Sequence, residues 1–187
     1  MRPQLHSGLL ALSLIAAGAL GGCATLSEGQ CRTADWHQIG RQDGSNGLDR
    51  ARLYKHQEAC AEYGIRPLPE RYYAGREAGL QRYCTPRRGF EEGREGRSYR
   101  GVCPLKLEPA FLAAYRQGEA IHDVESDIDD IEHDIDRHRH RLDQDDLEHD
   151  QRRALRRSLR DLHRELRYRD RERVRLYRES AFGPYRE

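Results

Sequence analysis

The sequence predicts a mainly α-helical protein: a small disulfide-stapled helical domain over residues 31–118, then a charged antiparallel helical hairpin of coiled-coil type over residues 119–180. Three observations predict it. Cys31, Cys60, Cys84 and Cys103 all fall in a stretch rich in glycine and aromatic residues. From Glu119 to Ser180 there is no glycine, proline or cysteine, so the residues that punctuate the first region stop abruptly near Gly118. In the second region apolar residues recur at alternating steps of three and four, the period of a helix seam.

Ahead of both regions lie Arg2, an apolar run from Leu9 to Leu20, and then Gly21-Gly22-Cys23. A positive start, a short apolar run and small residues before a cut are the anatomy of a secretory signal peptide. The run is shorter than the roughly 20 residues a spanning helix needs. The cysteine directly after the small pair makes residues 1–22 resemble a bacterial lipoprotein signal with its lipobox. That resemblance implies cleavage before Cys23, a thioether-linked diacylglycerol on its sulfur and a fatty acyl group on its amine. Residues 23–30 then form a lipidated tether, and 181–187 a short tail.

Export makes disulfides permissible. Beyond Cys23, four cysteines remain, an even number that reads as two disulfides with three possible pairings. No pair has the close CxxC spacing of a zinc or redox site. The neighbour pairing, Cys31 with Cys60 and Cys84 with Cys103, is favoured, and the other two stay open. Charged residues are 35% of the chain and hydrophobic ones 36%, a balance typical of long solvated helices. Arg2 is the only charged residue before Cys23, so the chain from Cys23 onward is formally neutral. No overall field attracts it to nucleic acid or a membrane surface. The arginines of residues 152–178 have acidic residues interleaved, a second argument against a nucleic-acid partner.

In the compact region Asp35 caps a first helix, which Gly44 or Gly47 closes. Asp49 caps a second, running through Tyr54 and Cys60 to Gly64. Pro69 suits the first turn of a third, ending near Cys84-Thr85-Pro86. Pro109 opens a fourth with Phe111, Leu112 and Tyr115 on one side. Aromatics precede spaced glycines four times: Trp36 with Gly40, Gly44 and Gly47; Tyr72 with Gly75 and Gly79; Phe90 with Gly93 and Gly96; Tyr115 with Gly118. The spacing drifts, so no repeat array is predicted. Gly40 and Gly44 share a helix face, as do Gly75 and Gly79, and such faces admit another backbone or a ligand. The candidate binding surface is therefore Trp36, Gly40, Gly44, Tyr73, Gly75, Gly79 and Tyr99. Its aromatics suit either core packing or stacking on envelope sugars.

In the hairpin, Ile121, Val124, Ile128, Ile131, Ile135, His138 and Leu142 form a heptad seam with one polar entry. Asp143-Gln144-Asp145-Asp146 has turn character. Leu155, Leu159, Leu162 and Leu166, with Val174 and Tyr177 beyond, form the returning seam. Folded about residue 144 or 145, the acidic stretch 123–136 faces the arginine-rich return, and Arg137 to Arg141 face Glu148 and Asp150. Exposed pairs contribute only about 0–1 kcal/mol each, yet they favour antiparallel over parallel pairing.

No serine lies in a Gly-x-Ser-x-Gly turn. His37 and Asp43 are six apart and point to different helix faces. Carboxylates are too numerous for spacing to single out a glycosidase pair. The chain is expected to be non-enzymatic and without a cofactor. His133, His138, His140 and His149 lie close together, but His133 and His138 are five apart where helical ligands want three or four. A solvated histidine-bearing face is the main expectation, and a metal site using His133 and His138 the minor one.

Four blocks carry a resemblance. They are Trp36-His37-Gln38-Ile39-Gly40-Arg41-Gln42-Asp43-Gly44; Cys60 with Gly64; Tyr73-Ala74-Gly75-Arg76-Glu77-Ala78-Gly79-Leu80-Gln81-Arg82-Tyr83-Cys84-Thr85; and Gly89-Phe90, Gly93 and Gly96 through Pro104. Together they resemble the domain of unknown function 2799 family of Gram-negative lipoproteins, over roughly residues 31 to 120. The resemblance implies an address but no catalytic residue. Ala24, rather than aspartate after the lipidated cysteine, implies outer-membrane sorting with the protein facing the periplasm. The expected function is a non-enzymatic envelope adaptor or scaffold with an envelope-protein partner. The alternative is a periplasmic glycan- or metal-binding module.

Overall fold

The computed structural model describes residues 25–182. The signal at 1–22, Cys23 and residues 183–187 lie outside the described residues. Among the described residues seven helices form: α1 Glu28–Arg32, α2 Trp36–Ser45, α3 Arg52–Ala61, α4 Pro69–Tyr83, α5 Pro86–Arg94, α6 Glu108–Leu142 and α7 His149–Glu179. No strand occurs among the described residues. The protein is a disulfide-stapled helical domain continued by a charged antiparallel hairpin.

Local chemistry sets most boundaries. Asp35 accepts from His37 N and Gln38 N at the start of α2, satisfying amides that a helix leaves unpaired. Pro69 and Pro86 open α4 and α5, where a missing N–H costs nothing. Thr85 caps α5 through Arg88 N. Asp49 does not cap α3 with its side chain. That helix starts at Arg52 behind Ala51, and Asp49 offers only its carbonyl, to Arg52 N at 3.3 Å.

Two short elements have weak sequence signals. α1 replaces part of the expected tether, because Ser27 and Gln30 form a reciprocal capping box. Leu26 before it is 8% exposed, in the same cluster as Cys31 and Trp36. α5 holds two glycines in nine residues, each a cost of about 1 kcal/mol against alanine. Close packing on α6 offsets that cost.

The disulfides join Cys31 to Cys60 and Cys84 to Cys103. Each lies beside one helix pair, and the two pairs are copies of one design. In the first pair, a Cβ on Gly40 would strike the Tyr72 carbonyl and one on Gly44 the Arg76 carbonyl. In the second, Gly89 and Gly93 meet the carbonyls of Phe111 and Tyr115 in the same way. Gly47 (φ +64) closes on the Tyr83 ring, and Gly96 (φ +65) on the His122 ring. Looking back from the partner helices, Gly79 abuts Arg41 and Ser45, and Gly118 abuts Phe90 and Arg94. Each position on α2 maps to α5 at one constant offset, and each on α4 maps to α6 at another. The two offsets differ because the connections differ in length, which is why no fixed period shows in the sequence.

The match extends to a buried acid. Asp43 and Glu92 occupy equivalent places, at 7% and 6% exposure. Asp43 accepts from the Tyr72 hydroxyl at 2.7 Å. Phe111 stands at the Tyr72 position in the second pair and has no hydroxyl. Glu92 is instead held by Arg97 at 2.9 and 3.0 Å and by Arg88 at 2.9 Å.

α6 runs unbroken through Gly118, where composition marks a boundary. Its 35 residues reach roughly 50 Å, so one helix serves both the second pair and the hairpin. Ile121, Val124, Ile128, Ile131 and Ile135 are buried along it. α7 has no buried residue among those described, because α6 is its one neighbour along most of its length and only its last turn also meets the domain. Leu155, Leu159, Leu162, Leu166, Leu176 and Tyr177 are half-buried. Val174 faces outward at 38% exposure. The returning stripe passes through Arg169 and Arg173, and reaches the domain at Leu176 and Tyr177.

His138, the polar seam entry, bonds Asp134 O at 2.8 Å and Ser158 Oγ at 3.1 Å. Arg169 and Asp127 are 3.5 Å apart. Both pairs are symmetric about Glu148, not about residues 144–145, because the connection runs on through Leu147 to the cap of α7. Arg169–Asp127 is the one ion pair joining α6 to α7 among the described residues. Most other hairpin pairs close within a helix, such as Arg164 with Asp161 at 2.8 Å. The acidic and arginine-rich stretches therefore do not neutralise each other across the hairpin.

Candidate functional site

The glycines of the predicted binding surface do not face a ligand. Gly40, Gly44, Gly75 and Gly79 are closed by backbone of the facing helix, with no room for a Cβ. Their role is close packing, and Trp36 joins it at 5% exposure. Tyr73 and Tyr99 are half-buried. Tyr99 braces the second disulfide: its hydroxyl donates to Glu108 Oε1 and accepts from Cys103 N, each at 2.8 Å. Its ring lies 4.9 Å from that of Phe111. Burial above all pushes its phenol up to about 12.

Tyr73 lines a cleft of about 710 Å³ with Arg50, Arg76 and Arg100. The Arg50 guanidinium lies over the Tyr73 ring, 4.5 Å from its centroid. Arg76 donates twice to Leu48 O, at 3.1 and 2.7 Å, and its burial lowers its pKa. The aromatic face that a sugar would stack on is thus already covered by a cation.

A polar chain that sequence spacing does not suggest lies beneath α2. Asp43 Oδ2 is 2.8 Å from His56 Nε2 as well as accepting from Tyr72. Burial first, and Asp43 second, raises the Tyr72 phenol far above its ordinary range. His56 Nδ1 is 2.7 Å from Thr25 Oγ1, which donates to Lys55 O at 3.1 Å. The order hydroxyl, imidazole, carboxylate is that of an acyl-transfer triad. Here the imidazole is 2% exposed and the hydroxyl proton goes to a backbone carbonyl. The chain of bonds clamps the start of the described residues to the core. One signal could have found His56: with Leu53 and Cys60 it makes a 3-4 stripe, the buried face of α3.

The histidines of the hairpin are not brought together. His133 is exposed, while His138 is turned into the α7 interface with both ring nitrogens engaged. Among the described residues no group of three or more His, Cys, Asp or Glu side chains is placed to hold a metal ion.

The most strongly charged feature among the described residues is the outer face of α7, where only Arg153 and Arg164 are paired, to Asp150 and Asp161 of the same helix. Arg153, Arg157, Arg160, Arg164, Arg167, Arg171 and Arg178 are all exposed and follow the 3-4 step of a seam on the side away from α6. This helix has twelve arginines against six carboxylates. No helix among the described residues is long and apolar enough to cross a membrane.

No curated protein and no solved structure matches the chain. Residues 35–120 do match a family, described as a protein of unknown function (DUF2799), and they include α2 to α5 and the part of α6 that completes the second helix pair. This part of the chain is thus similar to the DUF2799 family.

Proposed function

We propose that the protein is a non-enzymatic adaptor of the bacterial envelope. On this reading Cys23 carries lipid, the anchor lies in the outer membrane, and the chain faces the periplasm. The stapled domain is the base, and α7 presents its arginines to an acidic partner protein. The observation that carries the reading is the exposed arginine stripe of α7, spaced as a helix-docking seam and met by no acid of α6 among the described residues; only Arg153 and Arg164 of the stripe are paired, to Asp150 and Asp161 of their own helix. A rigid mount supports it. α6 leaves the domain without a break, and α7 returns to it, with Arg94 Nε donating to the Tyr177 hydroxyl at 2.7 Å. An arginine face recognises carboxylates through paired N–H groups.

The test is a full-length variant with Arg157, Arg160, Arg164 and Arg167 replaced by glutamine. Native electrophoresis of gently solubilised envelopes reads its assembly. The adaptor reading expects the wild-type chain in a larger complex and the variant as a free species at equal abundance. The same migration for both would remove the arginine face from the account.

A further inference from the structure

A second cleft, of about 450 Å³, opens beside Thr25. Gln30, Gln38, Asn46, Arg52 and His56 are among its walls. Arg52 is its uncommitted cation. Its Nε is buried without a hydrogen-bond partner, and its guanidinium makes no ion pair among the described residues. A buried N–H left unpaired is costly, and the rest of this half-buried side chain lines the cleft. The two carboxylates at the cleft do not relieve it. Asp43 Oδ2 serves Tyr72 and His56, and Asp35 Oδ1 serves the amides that open α2.

Position narrows the ligand. Thr25 is fixed by Lys55 O and His56. Cys23 precedes it by two residues, and two residues reach at most about 7 Å. Lipid on Cys23 would therefore place this end of the domain at the bilayer surface. The outer side of α3 then faces headgroups. It exposes Tyr54 at 62% with Lys55 next to it, the aromatic and basic pairing that suits an interface.

We infer that this cleft binds the phosphate of a phospholipid headgroup, with Arg52 as its principal ligand and Lys55 as an outer contact. A planar guanidinium offers a phosphate two parallel N–H groups, and the neighbouring amide side chains supply further donors. The inference rests on the lipid anchor proposed above. The anchor itself is tested separately, by metabolic labelling of Cys23 with a fatty-acid analogue in cells.

The closing experiment uses residues 23–187 with Cys23→Ser, so that no lipid of its own drives binding. Association is measured with phosphatidylethanolamine–phosphatidylglycerol vesicles, with phosphatidylcholine vesicles, and with inorganic phosphate in solution. The expected result is binding to the anionic vesicles that weakens about tenfold or more in Arg52→Gln, and less in Lys55→Gln. Arg52→Lys keeps the charge without the fork and should fall between. Circular dichroism melts confirm that each variant folds. Binding of inorganic phosphate without vesicle binding would overturn the lipid as source. Equal vesicle binding by the wild type and a folded Arg52→Gln, or no binding of either probe, would overturn the site. Either failure leaves a positive labelling of Cys23 untouched, so the two readings separate.

Discussion

Tyr177 donates its hydroxyl proton to Glu125 Oε1 at 2.8 Å, across 52 residues of sequence. The same oxygen accepts from Arg94 Nε, so one phenol joins α5, α6 and α7. Phe182 continues the contact against Phe90, with ring centroids 5.5 Å apart. The returning end of the hairpin is thereby docked on the domain.

Replacing Tyr177 with phenylalanine keeps the ring and removes both hydrogen bonds. The expected cost is about 1–2 kcal/mol. Hydrogen exchange should show it as lost protection over the last turns of α7, with α2 and α4 unchanged. Uniform loss of protection throughout the chain would mean that the end of α7 is not a separate dock.

Gly93→Ala places a methyl group against the Tyr115 carbonyl. Overpacking of this kind costs about 1–3 kcal/mol or more, because a backbone atom cannot turn aside as a side chain can. Gly44→Ala should behave alike, since it faces the equivalent Arg76 carbonyl. Gly29→Ala is the contrast. It lies within α1 with open space around it, and should be neutral or stabilise by up to about 1 kcal/mol. Thermal melts of the three variants check the order.

The disulfides close short loops, with sequence separations of 29 and 19. In the chain-entropy account each contributes about 3–4 kcal/mol. The double variant Cys31→Ala, Cys60→Ala should lose that stability chiefly in α1 to α4. The hairpin has no cysteine and should keep its helicity under reducing conditions, as read by circular dichroism.

Tyr83 and Tyr99 give a pH dependence. Burial is the largest cause that pushes each phenol up to about 12, whereas unfolded phenols titrate near 10. Between these values the folded chain holds more protons than the unfolded one, so stability falls as pH rises. It should be fully present below about pH 10 and decline towards pH 12. Ionisation of Tyr83 and Tyr99 themselves well before unfolding, read from their own NMR signals, would contradict the burial of these rings.

Much of this fold was legible in the residues themselves. Asp35, Pro69 and the isoleucines from Ile121 to Ile135 act locally, through caps, a fixed φ and a heptad period. Other features depend on distant partners. α5 reads as a poor helix because its glycines pay off only when α6 lies against them. The common design of the two helix pairs was hidden by connections of unequal length. Val174 fits the seam by type but faces solvent, because Leu176 and Tyr177 reach the domain instead. The glycine faces were recognisable as places of close approach, but the sequence does not distinguish a ligand from another helix as the occupant. His56 carried a readable stripe, yet its partners Asp43 and Thr25 come from other elements.

The most direct measurement is a photo-crosslinking profile in intact cells, with a photoreactive amino acid placed singly at Arg157, Arg160, Arg164, Arg167 and Arg171, and at Asp130 and Lys106 for comparison. The adaptor account predicts one protein adduct of the same mass from the α7 positions and none from the other two. No protein adduct from any α7 position, with the probe incorporated and the protein correctly localised, would contradict it.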